Sequence, residues 1–216
     1  MERVTFTTSD NVTIVGDYYP GNSLRGALLL HMMPSDRTSW SSFATKLADR
    51  GYHVLAIDLR GHGESEGGPA GYKDFSDEDH QQSIMDVDAA AAFLSEKGIA
   101  LDQLTLVGAS IGANLALWYA AERHDIPVLV LLSAGFNYKG IKAEEYVAGL
   151  GSNQRVFFAS SEDDEGNAEM NQQLSDQALH RTRAQYIKYQ EAGHGTDMFS
   201  KEEPDLAREI LSWIEQ

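Results

Sequence analysis

Five short stretches of this chain are apolar almost without interruption: Ala27-Leu28-Leu29-Leu30, Val54-Leu55-Ala56-Ile57, Leu104-Thr105-Leu106-Val107, Val128 to Leu132, and Val156-Phe157-Phe158-Ala159. A strand with no polar face has to be covered on both sides, as in a parallel sheet sandwiched by helices. Ala184 to Tyr189 is a weaker sixth stretch. Amphipathic segments fill the gaps. Trp40, Phe43, Ala44, Leu47 and Ala48 share one helical face, and Gly51 closes that helix. Ile84, Val87, Ala91 and Leu94 repeat the pattern up to Gly98, and Leu206, Ile210, Leu211 and Ile214 do so after Pro204. This alternation predicts an α/β fold with a doubly wound, mostly parallel sheet and helices on both faces. Ahead of it, residues 3–8 and 12–19 alternate apolar and polar around Ser9-Asp10-Asn11, which predicts an antiparallel hairpin.

No repeat, low-complexity tract or Pro/Gly-rich linker divides the 216 residues, so a single domain over 1–216 is expected. A domain of that size removes roughly 70% of its unfolded surface from water. The chain has no cysteine, which excludes disulfides, thiolate metal sites and a cysteine nucleophile. It shows neither a signal-peptide pattern nor an apolar run of membrane-spanning length, so a cytoplasmic protein without membrane contact is expected. The net charge of −16 would repel a polyphosphate, so no nucleic-acid partner is expected. Acidic residues are scattered, as in Glu144-Glu145 and Glu202-Glu203, and densest from Glu162 to Glu165. Without a His-x-x-x-His or similar spacing, no metal and no cofactor are expected.

Chemistry concentrates where the third apolar stretch ends. Leu106-Val107 runs into Gly108-Ala109-Ser110-Ile111-Gly112, and a segment of small residues follows. A Gly-x-Ser-x-Gly stretch between a buried strand and a helix fits a sharp, strained turn that lifts the serine hydroxyl clear of the sheet. Ser110 is therefore the candidate nucleophile. A serine hydroxyl needs a neighbouring base to take its proton. Of the seven histidines, only His194 follows the last candidate strand, in the loop Glu191-Ala192-Gly193-His194-Gly195-Thr196. The orienting carboxylate should follow Phe157-Phe158-Ala159, where Ser160-Ser161-Glu162-Asp163-Asp164 offers several choices. Asp164 is preferred to Asp163, with Glu162 behind, and the residues alone leave these open.

Acyl transfer also needs backbone donors aimed at the developing oxyanion. The N–H of Ile111, just after the serine, is one. The other should come from His31-Met32-Met33-Pro34-Ser35-Asp36, after the first parallel strand. His31 itself is read as a loop residue that hydrogen-bonds backbone.

Together these segments resemble the α/β-hydrolase superfamily over nearly the whole chain. His31-Met32-Met33 is similar to the family's His-Gly-x strand end. Asp58-Leu59-Arg60-Gly61-His62-Gly63-Glu64-Ser65 is similar to its Asp-x-Arg-Gly-His-Gly-x-Ser stretch. Gly108 to Gly112 resembles the nucleophile elbow, Ser161 to Asp164 the Gly-x-x-Asp acid turn, and Gly193-His194-Gly195 the histidine loop. The resemblance implies a sheet of about eight strands and a triad of Ser110, Asp164 and His194. It also implies oxyanion donors at Met33 and Ile111, and a structural role for His62. Met32 and Ser161 stand where the family usually has glycine. Between Ser133 and Asn153 there is room for one helix, Ala143 to Leu150, but not for a full cap domain. An open cleft follows, lined by candidates Tyr138, Trp118 and Phe136. The implied partner is a small acyl substrate, most readily a carboxylic ester, with thioesters and small peptides served by the same groups.

Overall fold

The computed structural model describes residues 1–200 and 205–216. Pro204 and the Glu202-Glu203 pair lie outside the described residues. The chain opens with β1 (Glu2–Thr7) and β2 (Thr13–Tyr19), paired antiparallel with Glu2 opposite Tyr18. There follow β3 (Gly26–Leu30), α1 (Ser41–Ala48), β4 (His53–Ile57), α2 (Asp77–Gln81) and α3 (Ile84–Glu96). Next come β5 (Leu104–Ala109), α4 (Ile111–Ala121), β6 (Val128–Leu132), β7 (Asn137–Tyr138), β8 (Ile141–Lys142) and α5 (Ala143–Ala148). The chain ends with β9 (Arg155–Ser161), α6 (Asn167–Leu179), β10 (Arg183–Tyr189) and α7 (Leu206–Ile214).

Among the described residues, eight strands form one sheet in the order β1-β2-β4-β3-β5-β6-β9-β10. From β4 to β10 every pairing is parallel, while β2 meets β4 antiparallel. Alternate residues of one strand feed two separate cores. Leu28 and Leu30 join Val87, Leu115, Val147 and Leu174 from α3, α4, α5 and α6. Ala27 and Leu29 join Phe43, Leu47, Ile210 and Trp213 from α1 and α7. This two-sided burial is why the strands read as unbroken apolar stretches. The chain leaves β3 toward β4 on one side and returns to β5 on the other. The carboxyl ends of β3 and β5 therefore face the crevice where such sheets bind ligands.

Two elements depart from expectation. The segment between β6 and β9 holds the expected helix, α5, ending at Ala148, but also the small antiparallel hairpin β7–β8. Strands of two residues carry no period to read. Helix α6 carries no apolar stripe to read from sequence because half of its inward face is polar: Asn167, Asn171 and Ser175 are buried beside Ala168, Leu174 and Ala178. The amides bond the chain instead. Asn167 and Asn171 Nδ2 donate to the carbonyl of Ala134 at 3.0 and 2.8 Å. From α4, Asn114 Nδ2 donates to the carbonyls of Gly135 and Ile141, each at 2.8 Å. Buried amides paired in this way hold a loop firmly, since breaking one strands a polar group. The hairpin after β6 is thus pinned from two helices.

The stretch from Asp58 to Ser65 is a scaffold of buried ion pairs. Asp58 is fully buried, and its carboxylate takes the Arg37 guanidinium at 2.5 Å and the backbone N–H groups of Arg37 and Glu64, each at 2.8 Å. Arg60 is held by Asp86 at 2.8 Å and Asp10 at 2.7 Å. Neither Arg37 nor Arg60 is left unpaired. Among the described residues no helix is long and apolar enough to cross a membrane.

Candidate active site

Ser110 sits between β5 and α4 with φ 54° and ψ −121°. A non-glycine residue held there is strained by about 1–3 kcal/mol. The strain is locked in by its own backbone: the Ser110 N–H donates to Leu132 O at 2.8 Å, and its carbonyl accepts from Ala113 N–H at 2.9 Å. The two motif glycines have separate steric reasons. A side chain on Gly108 would collide with the carbonyl of Gly112, and one on Gly112 would collide with the carbonyl of Leu30. The turn is that tight because β3, β5 and the start of α4 meet there.

The histidine loop is seated on the same strand ends. Gly195 N–H donates to Ser133 Oγ at 2.8 Å. The α-carbon of Gly195 faces Ala109 and Met32 so closely that an added methyl would press on both. Ala109 is the residue before the serine, so the loop lies directly beside the turn. Asp164 Oδ2 lies 2.5 Å from His194 Nδ1, with the imidazole 30% and the carboxylate 19% exposed. A carboxylate on Nδ1 fixes the tautomer, leaving Nε2 as the basic nitrogen.

The other two acidic candidates are engaged elsewhere. Asp163 accepts from the Ser161 hydroxyl and from the N–H groups of Ala192 and Gly193 at 3.2 and 3.1 Å. The Ser161 hydroxyl and the Gly193 N–H hold its carboxyl below the usual carboxylate range. Glu162 pairs with Lys188 at 2.6 Å on the surface. Ser161, in the place of the family's glycine, also takes the Ala192 N–H on its Oγ at 2.8 Å. Ser161 and Asp163 together anchor the loop that carries the histidine.

Tyr138 faces both candidate groups. Its ring stands edgewise to His194 with centroids 6.5 Å apart, and its hydroxyl approaches the Ser110 hydroxyl. The phenol oxygen receives Asn167 Nδ2 at 3.2 Å and donates to Ser133 O at 3.3 Å. Burial raises its pKa above the ordinary tyrosine value, so it stays a donor at neutral pH. Trp118, offered as a lining residue, is not there. It lies two turns down α4, stacked on Tyr146 at 5.3 Å, with its indole N–H on Glu122. Eight residues of helix carry it ~12 Å away from Ser110 along the axis. Phe136 is partly buried and packs against the core that α3 to α6 share.

The N–H groups of Met33 and Ile111 find no acceptor among the described residues. Met32 turns its side chain to Gly195 and Thr196, whereas Met33 borders a cavity beside the turn. His31 shapes this loop as read from sequence: Nδ1 meets Met32 O at 2.8 Å and Nε2 accepts from Leu59 N–H at 3.0 Å. His62 lies edge-on to it, 4.8 Å away, and stacks on Tyr72 at 4.2 Å.

Burial pushes the pKa of both His31 and His62 down to about 4, and for His62 the neighbouring His31 adds to the effect. The folded state therefore keeps both rings neutral, while the unfolded chain protonates them near 6.5. Stability is lost as pH falls from about 6.5 toward 4, by on the order of 3 kcal/mol per ring. The two losses are coupled, because the rings touch. Urea midpoints measured from pH 7 to pH 4.5 are expected to fall, and His62→Phe is expected to flatten that slope. Equal slopes for the two proteins would contradict the assignment.

A serine at this turn, at the crossover of such a sheet, is the layout of the α/β-hydrolase superfamily, and the chain is an α/β hydrolase. More narrowly, it belongs to the family described as Serine aminopeptidase, S33, whose model matches residues 27–190. It is similar to the AB hydrolase superfamily protein YisY of Bacillus subtilis (strain 168), with 32% identity over 130 residues. That stretch covers 59% of this chain and 43% of YisY, so the match spans less than half of the relative's length. Among solved structures, the esterase Pf2001 of Pyrococcus furiosus superposes with a TM-score of 0.81 at 17% identity, covering 99% of this chain and 89% of that one. The esterase EaEST of Exiguobacterium antarcticum does so with a TM-score of 0.75 at 13% identity, covering 100% of both chains.

Proposed function

We propose that the chain is a serine hydrolase that cleaves small carboxylic esters through an acyl-enzyme. Ser110 is the nucleophile, His194 the general base and then acid, and Asp164 the carboxylate that orients it. The observation that carries this reading is the 2.5 Å contact between Asp164 and His194 on a loop packed against the residue preceding Ser110. In the reaction, His194 Nε2 takes the Ser110 proton as Oγ attacks the carbonyl carbon. The oxyanion rests on the N–H groups of Met33 and Ile111. Collapse expels the alcohol, which receives its proton from His194, and water then releases the acid by the same steps. The N-terminal end of α4 adds its partial positive charge at the oxyanion. Esterases among the structural neighbours support the choice of substrate bond.

Thioesters and aminoacyl amides are served by the same groups, and the family description, serine aminopeptidase, makes the amide worth testing. The test is a panel of p-nitrophenyl esters, acyl-CoA thioesters and aminoacyl anilides, run beside a fluorophosphonate probe. Labelling at Ser110 with turnover of short esters is expected. A folded protein that resists the probe and turns over nothing would leave a ligand-binding role instead.

A further inference from the structure

Beside the turn lies a cavity of about 300 Å³ bordered by Met33, Tyr72, Lys73, Phe75, His80 and Lys139. Two of its walls belong to the site already described. Met33 offers one of the N–H groups assigned to the oxyanion, and Lys139 directly follows Tyr138, whose hydroxyl approaches Ser110. Tyr72 closes a third side by stacking on His62. The floor is therefore aromatic and apolar, but three basic side chains converge on it.

Arg3, Arg37, Arg50, Arg60, Arg123, Lys142 and Lys188 all have carboxylate partners. Lys73 and Lys139 have none among the described residues, although the chain carries 33 acidic residues against 17 basic ones. Arg25, Lys46, Lys97, Arg155, Arg181 and Arg183 also lack a carboxylate partner among the described residues, so what marks Lys73 and Lys139 is that they stand together at this cavity. His80 is 2% exposed, with its ring edge-on to Phe75 at 5.4 Å, and its side chain makes no hydrogen bond among the described residues. Its ring nitrogens are not among the buried atoms left without a partner, so the polar edge of this largely buried imidazole opens on the cavity, where a ligand can meet it. Asp79, the nearest carboxylate in sequence, is occupied in capping α2 through Ser76.

We propose that this cavity is an anion-accepting subsite, and that the preferred substrates are esters bearing a carboxylate a few atoms from the scissile carbonyl. The apolar floor takes the connecting chain. The two ammonium groups take the charge, and His80 supplies a hydrogen bond. The overall charge of −16 does not oppose this. Surface charges farther than about 8 Å are largely screened at physiological salt, so the balance at the cavity is set by Lys73 and Lys139 against Asp77, with Asp79 engaged by Ser76.

The inference rests on ester hydrolysis at Ser110, and the test separates the two. Two substrate pairs are compared: the mono-p-nitrophenyl ester of glutaric acid against its methyl-capped form, and 4-butyryloxybenzoate against its methyl ester. The first pair places the carboxylate on the acyl side, the second on the alcohol side. In at least one pair, kcat/KM is expected to favour the carboxylate about tenfold at low salt, in line with two exposed ion pairs. That ratio should shrink in 0.5 M salt, fall toward one in Lys73→Gln/Lys139→Gln, and invert in Lys73→Glu/Lys139→Glu. A wild-type ratio at or below one in both pairs, or a ratio unmoved by the double substitutions, overturns the subsite while leaving the esterase reading standing. Failure to cleave any of the four esters overturns the esterase reading itself.

Discussion

Ser110→Ala is expected to lower kcat for a short p-nitrophenyl ester by about 10⁵-fold or more, with the protein still folded. The size follows from the chemistry. On the proposed mechanism, loss of the hydroxyl removes the acyl-enzyme route, and what remains is attack by water assisted by binding and the proposed oxyanion donors, roughly 10³–10⁴ above the uncatalysed rate. The fold should survive because the strain at residue 110 is in the backbone, at φ 54°, and is held by the bonds to Leu132 O and from Ala113 N–H. Alanine makes the same two bonds and carries the same Cβ. What the substitution removes is the hydroxyl and its influence on the Tyr138 phenol. The measurement is burst kinetics with p-nitrophenol release, beside a thermal melt and probe labelling. Turnover within tenfold of wild type, with the melt unchanged, would show that the nucleophile lies elsewhere.

How much of this was legible in the chain depended on whether a feature was local. Strands β3 to β6 and β9 announced themselves because both faces of each are buried, so their central positions are almost all apolar. β10, at the sheet edge, is only half-buried over most of its length and read weakly for that reason. α6 was invisible because half of its buried face is polar, with two asparagines whose partners are carbonyls over thirty residues away. The same holds at the candidate site. Ser110 and the loop around His194 carry their own backbone requirements, which short motifs record. The choice among Glu162, Asp163 and Asp164 turns instead on what the folded turn meets, and the proposed acid, Asp164, is the one that meets His194. Lys188 draws off Glu162, and the loop N–H groups draw off Asp163. Trp118 looked like a cleft aromatic only because helical distance from Ser110 cannot be seen without placing α4.

The acid turn offers the sharpest test of that geometry. Asp164→Asn is expected to reduce kcat by about 10³–10⁴-fold with little change in stability. An asparagine of the same shape can keep the contact to Nδ1 by donating from its amide nitrogen. The ring is then driven into the tautomer whose Nε2 carries the proton and cannot accept one from Ser110. Asp163→Asn should behave differently. Its amide oxygen can still accept from the loop, so the loop loses a charge-assisted bond to Ala192 and Gly193 while His194 keeps its partner. Activity there should fall modestly and recover at lower temperature, where the loop is better ordered, whereas the Asp164→Asn defect should persist at every temperature. Glu162→Gln breaks only an exposed pair with Lys188 and should leave turnover where it was. If instead the Asp163 variant were the crippled one, the 2.5 Å contact would not be the catalytic one, and the loop would have to shift by one residue's reach before the chemistry begins.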